Sequence, residues 1–110
     1  MSYRDLAPEE AHAEIEADAS IRLLDVRTPF EFDRHRLRGA MLLPIQEIAE
    51  RLDELDRDAN WFVYCEHGRR SVAVCEFLQQ NGFPNVTNVR GGMALWIGSG
   101  LPCERGPAGR

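Results

Sequence analysis

Apolar residues along this chain follow two rhythms. Trp61-Phe62-Val63-Tyr64 is an unbroken apolar run, the pattern of a strand buried on both faces. Ile21-Arg22-Leu23-Leu24-Asp25-Val26, Ala40-Met41-Leu42-Leu43 and Val86 to Val89 are short runs that also read as strands. Between them the spacing becomes helical. Ile45, Ile48, Ala49, Leu52 and Leu55 recur at threes and fours, with Glu47, Glu50, Arg51, Asp53 and Glu54 between them, which predicts an amphipathic helix over 45–55. A second strong helix is predicted over 69–81, where Gly82 follows as a C-terminal cap. Pro8, Glu9 and Glu10 mark the start of a first helix, although Ala7 is a poor cap for it. A turn at Thr28-Pro29 leads into a brief helical segment around Phe30 to Asp33, and Met93 to Ile97 reads as a last short helix.

Strands alternating with helices imply an α/β fold, a central parallel sheet of about five strands with helices on both faces. Ligands of such sheets sit beyond the carboxyl ends of the strands. There the buried run ends in Cys65-Glu66-His67-Gly68-Arg69-Arg70-Ser71, and a helix follows at once. A helix start offers unpaired backbone N–H groups and partial positive charge. Gly68 lets the loop curl so that successive amides point inward as an anion nest. Cysteines over such nests are reactive as thiolates in many proteins, so Cys65 is read as a nucleophile. A strand-end cysteine serving only as a small core residue is the competing reading. The glycine and two arginines that follow weigh against it.

Composition narrows the picture. A chain of 110 residues holds one core, expected as a single domain over 1–104 with a flexible tail over 105–110. The net charge is −5 with both signs interspersed, which argues against nucleic-acid binding by phosphate neutralisation. No apolar run approaches the ~20 residues of a membrane span, and Met1 to Asp5 lack the plan of a secretory signal. A cytoplasmic location is expected. Cys65, Cys75 and Cys103 are odd in number and irregular in spacing, so neither a disulfide framework nor a metal site is expected. No cofactor is implied, because the cysteine does the covalent work. Cys75 lies among Val72, Val74, Phe77 and Leu78 and reads as core, as does Trp96. Cys103, His12 and His35 read as surface residues. Asp25 and Arg27 read as structural, with Arg27 and Glu31 able to pair across one helical turn.

Four segments carry a resemblance to one family. Cys65-x-x-Gly68-x-Arg70-Ser71 resembles the active-site loop of the rhodanese sulfurtransferases. Asp25-Val26-Arg27, with Glu31-Phe32 and Leu37-x-Gly39-Ala40, resembles their first signature. Leu78 to Phe83 is similar to the end of their active-site helix. Val89-x-Gly91-Gly92 with Trp96 and Gly100-Leu101-Pro102 is similar to their C-terminal segment. The resemblance implies a rhodanese-like fold and a thiosulfate sulfurtransferase-type enzyme. A sulfane sulfur passes from thiosulfate or a persulfide to Cys65 as a persulfide, then to a thiol or cyanide acceptor. It implies catalytic roles for Cys65 and for Arg70, which braces the loop and adds positive charge. It implies substrate binding by Glu66, His67, Gly68, Arg69 and Ser71, whose amides hold the terminal sulfur. The side chains of Glu66, His67 and Arg69 are expected to face the mouth. The implied partners are a small-molecule sulfur donor and an acceptor, with a protein donor or acceptor left open.

Two departures stand out. His35-Arg36 occupy positions where the family shows Gly-His, and Glu66 places a carboxylate where it would repel a doubly negative donor. Two other readings stay open. One is a rhodanese-like interaction or regulatory module without catalysis. The other, ranked lower, is a cysteine-dependent phosphatase or arsenate reductase. Loops of that kind place five residues between Cys and Arg, whereas Glu66 to Arg69 are four.

Overall fold

The computed structural model describes residues 2–108. In chain order its elements are β1 (Arg4–Leu6), α1 (Pro8–Ala17), β2 (Arg22–Asp25), α2 (Pro29–Arg34), β3 (Met41–Leu42), β4 (Trp61–Tyr64), α3 (Arg69–Gln80), β5 (Val86–Val89) and α4 (Gly92–Gly98). All five strands pair in parallel, in the order β1-β5-β4-β2-β3. The wholly apolar β4 takes the centre, with β2 on one side and β5 on the other. The expected α/β architecture is thus the one observed.

Side-chain alternation along β4 divides the core in two. Trp61, Val63 and Cys65 join Leu24, Val74, Cys75 and Leu78 under α3. Phe62 and Tyr64 join Ala11, Met93 and Trp96 under α1 and α4. This alternation turns Cys65 toward the start of α3. Helix α1 begins without a side-chain cap at Ala7, and the Glu10 carboxylate accepts the Ala7 N–H at 3.2 Å instead. At the end of α3, Gly82 at φ 85° lets the Phe83 N–H return to the Leu78 carbonyl at 3.1 Å.

Two features differ from the sequence expectations. The predicted helix over 45–55 is two short 3-10 turns, Ile45–Glu47 and Leu52–Glu54. The Leu43 and Ile45 amides donate to the Asp25 and Val26 carbonyls, so the segment is drawn along the end of β2. Successive turns still bury Ile48 and Leu55, which satisfies the same apolar spacing. Second, β1 carried too little apolar pattern to be read as a strand. It is an edge strand placed by backbone pairing with β5, from Arg4 opposite Thr87 to Leu6 opposite Val89. The chain after α4 is hydrogen-bonded back onto the domain as far as Ala108. Arg36 and Glu104 form an isolated antiparallel bridge, Arg36 donates to the Gly106 carbonyl at 2.7 Å, and the Ala108 amide donates to Asp33. Gly109 and Arg110 lie outside the described residues. Among the described residues, no helix is long and apolar enough to cross a membrane.

Candidate active site

Cys65 follows the last residue of the central strand, and its side chain is buried to 1% exposure. The chain then turns sharply at Gly68, whose φ of 102° belongs to the left-handed region that glycine enters freely. The turn brings two backbone donors onto the sulfur. The Gly68 N–H points at Cys65 Sγ at 3.1 Å and the Ser71 N–H at 3.3 Å. The Ser71 hydroxyl lies 3.4 Å from the same atom. With the positive end of α3 behind them, the two amides suit a negatively charged sulfur.

A second helix holds the loop from behind. The Met93 N–H donates to the Cys65 carbonyl at 2.8 Å and the Ala94 N–H to the Glu66 carbonyl at 3.0 Å. The backbone there is so close that a Cβ on Gly92 would lie 2.3 Å from the Cys65 carbonyl oxygen. Gly92 also sits at φ 62°. Both facts require glycine.

Two arginines fix the flanks. Arg70 makes a two-pronged pair with Glu31 of α2, at 2.8 and 2.9 Å. Those bonds hold the Glu31 carboxyl down at about 2, against partial burial, which pushes it up. Glu31 also accepts the Thr28 N–H while Thr28 Oγ1 accepts the Glu31 N–H, so the α2 start and the loop share one carboxylate. Arg27 is buried against Asp25 at 2.7 Å and reaches Glu66 Oε1 at 2.9 Å. It also donates to the His35 carbonyl. Burial alone pushes Arg27 down, but the Asp25 and Glu66 partners outweigh it and hold it firmly charged. The expected Arg27–Glu31 pair is therefore replaced by two longer-range pairs. Strand-end geometry turns Arg27 toward the sheet and leaves Glu31 facing α3.

Most of the residues singled out in sequence come together here. His67 and Arg69 are exposed at the mouth, and Glu66 is half-buried with its carboxylate on Arg27. Glu66 and His67 line a cleft of about 190 Å³ with Arg27, Glu31, Arg34 and His35. Ser71 puts its amide on the sulfur rather than its side chain at the mouth. It is fully buried and meets the sulfur from below. Cys75 is core as expected, and burial pushes its thiol up. Cys103 and His12 lie apart from the loop, around a hollow of about 440 Å³ with Trp96. Neither is simply a surface residue. Both are half-buried, and the His12 ring meets Trp96 edge-on at 5.5 Å.

Sequence reasoning passed over Asn88 and Asp5. Asn88 is 2% exposed and accepts a hydrogen bond from Ser71 Oγ, while Asp5 holds the other side of its amide. The available signal was Thr87-Asn88, two polar residues inside an otherwise apolar strand.

Comparison with known proteins identifies the family and the fold. The family model of the rhodanese-like domain matches residues 7–99. A sulfurtransferase of Allochromatium vinosum is 38% identical over 82 residues, 74% of this chain and 77% of that protein. The thiosulfate sulfurtransferase GlpE of Actinobacillus succinogenes is 36% identical over 104 residues, 94% of this chain and 93% of the relative. The crystal structure of a rhodanese-related protein from Thermoplasma volcanium superposes with a TM-score of 0.85 at 36% identity, over 93% of this chain and 98% of that one. The chain belongs to the rhodanese-like domain family and has sulfurtransferases among its relatives.

Proposed function

We propose that this domain is a thiosulfate sulfurtransferase-type enzyme that carries sulfane sulfur as a persulfide on Cys65. The observation that carries the reading is the convergence of the Gly68 and Ser71 amides on Cys65 Sγ at a helix start. In the first half-reaction the Cys65 thiolate attacks the outer sulfur of the donor. The donor S–S bond breaks with its electron pair leaving on sulfite, or on a thiolate when the donor is a persulfide. The new Cys65 persulfide bears its negative charge on the terminal sulfur, within the curl of the loop. In the second, cyanide or a thiolate attacks that terminal sulfur and the electron pair returns to Cys65 Sγ.

Arg70 acts through its clamp on Glu31, which braces the loop, and adds positive charge near the sulfur. Exposed His67 and Arg69 meet the donor at the mouth. The relatives named thiosulfate sulfurtransferase support thiosulfate as a donor. A protein donor or acceptor fits the open mouth as well. A reducing cytoplasm, where thiols stay free, goes with this reading.

Steady-state thiocyanate formation from thiosulfate and cyanide tests the proposal. The expected result is saturable activity that falls to background in Cys65→Ser and drops at least tenfold in Arg70→Met, about the effect of one lost charge-assisted contact. Undiminished activity in Cys65→Ser would refute it.

A further inference from the structure

Behind the loop, a run of hydrogen bonds leads from the sulfur to the sheet edge. Ser71 Oγ lies 3.4 Å from Cys65 Sγ and donates to Asn88 Oδ1 at 2.7 Å. Asn88 Nδ2 donates to Asp5 Oδ1 at 2.8 Å, and Asp5 Oδ2 accepts Arg90 Nε at 2.9 Å. Ser71 and Asn88 are both buried.

The direction of every proton in this run is set from its outer end. A carboxylate only accepts. Burial pushes the Asp5 carboxyl up, but the Asn88 and Arg90 bonds outweigh it and keep it below its ordinary value. Asn88 must then turn its NH₂ toward Asp5 and its carbonyl oxygen toward Ser71. Ser71 has a single hydroxyl proton, and Asn88 takes it. The other acceptor, the Gly68 carbonyl, is farther at 3.3 Å. What Ser71 presents to the sulfur is a lone pair, which accepts from a thiol S–H and repels a thiolate.

We infer that Asn88 and Asp5 are positioning residues that hold the Ser71 hydroxyl as an acceptor for the Cys65 thiol proton, stabilising the discharged, protonated carrier. The functional meaning rests on the proposed carrier role of Cys65. The relay opposes the Gly68 and Ser71 amides, which favour negative sulfur. When Cys65 ionises, its proton passes to water and the S–H electron pair stays on sulfur. Ser71 then faces an anion with a lone pair unless it turns its proton away from Asn88. A persulfide has no proton on Sγ either, so the same hydrogen bond favours release of the carried sulfur over its storage.

Other charges around the sulfur are already accounted for. Arg70 is clamped to Glu31, Arg27 to Asp25 and Glu66, and Cys75 lies deeper along α3. His67 is exposed in the loop, Tyr64 faces the opposite side of the sheet, and α4 has no titratable side chain. The variants below leave all of these in place.

The test is the rate of iodoacetamide addition to Cys65 against pH, read from the mass of the Cys65 peptide. Asn88→Leu removes the acceptor for the Ser71 proton, and Asp5→Asn frees the Asn88 amide to reverse. In both, the rate on the acid side of the profile should rise about fivefold, the worth of one ordinary hydrogen bond, with the alkaline plateau unchanged. In a Ser71→Ala background, Asn88→Leu should add nothing. Unchanged or slower addition in both single variants would overturn the relay. So would an equal rise in the Ser71→Ala background, the mark of a loosened fold. The carrier role fails separately. A protein that showed these alkylation shifts yet took no sulfur from thiosulfate or glutathione persulfide would keep the relay and lose the carrier.

Discussion

Glu66 adjoins the proposed nucleophile in sequence, yet its carboxylate is bound to Arg27 rather than left facing the mouth. The pairing compensates the charge without removing it, since the Glu66 side chain keeps 31% exposure. A doubly negative donor still meets one carboxylate there. We expect Glu66→Gln to lower the KM for thiosulfate about fivefold, the size of one like-charge repulsion of ~1 kcal/mol through water, with kcat little changed. An unchanged KM would show that Arg27 already cancels the repulsion. At this scale the loop itself was legible, because Cys65, Gly68, Arg70 and Ser71 are contiguous and their types state their chemistry. Their partners were not. Arg27 and Glu31 stand four apart and invite a local pair, but Asp25 and Glu66 take the first while Arg70 takes the second. Asn88 and Asp5, 83 residues apart in sequence, meet only through the parallel pairing of β1 with β5.

Helix α4 matters to the site through the backbone more than through side chains. Its first amides bind the carbonyls of Cys65 and Glu66, and that contact allows no Cβ at Gly92. Gly92→Ala should destabilise the domain by more than about 2 kcal/mol, combining a left-handed backbone with a clash against main chain. A shifted midpoint of denaturant unfolding measures this, and kcat/KM should fall alongside it because the loop is displaced. A neutral outcome in both would remove α4 from the account of loop geometry. The two glycines were visible in sequence as a signature, but the clash that demands Gly92 is a tertiary fact. Likewise the 45–55 segment has helical spacing, yet bonds from Leu43 and Ile45 to the end of β2 bend it into separate turns. Strong, continuous patterns such as β4 and α3 were readable because nothing tertiary had to override them.

For the whole molecule, the buried and half-buried ion pairs govern how stability responds to mutation and acid. Removing Arg27 leaves Asp25 as an unpaired charge at 0% exposure. Arg27→Met should therefore cost about 3–5 kcal/mol, and Arg27→Met with Asp25→Leu distinctly less. Equal losses in the single and double variants would contradict that assignment. The Glu31–Arg70 clamp gives a pH signature. Glu31 is held at about 2 in the folded state against an ordinary 4.5. Its folded value is depressed, so its contribution is complete above about 4.5 and is lost as pH falls toward about 2. The melting temperature of Glu31→Gln should lie below that of the parent at neutral pH, and the two should converge as pH approaches 2. A gap that stayed constant with pH would mean the clamp acts through packing and not through charge.

If Cys65 Sγ is the atom that takes up sulfur, intact mass spectrometry will show it. The reduced protein is exposed briefly to thiosulfate or glutathione persulfide and weighed beside Cys65→Ser. The expected result is a gain of one sulfur atom in the parent, none in the variant, and its loss on adding cyanide with release of thiocyanate. No gain from either donor, or an equal gain in Cys65→Ser, would contradict it and leave an interaction module as the better description of this domain.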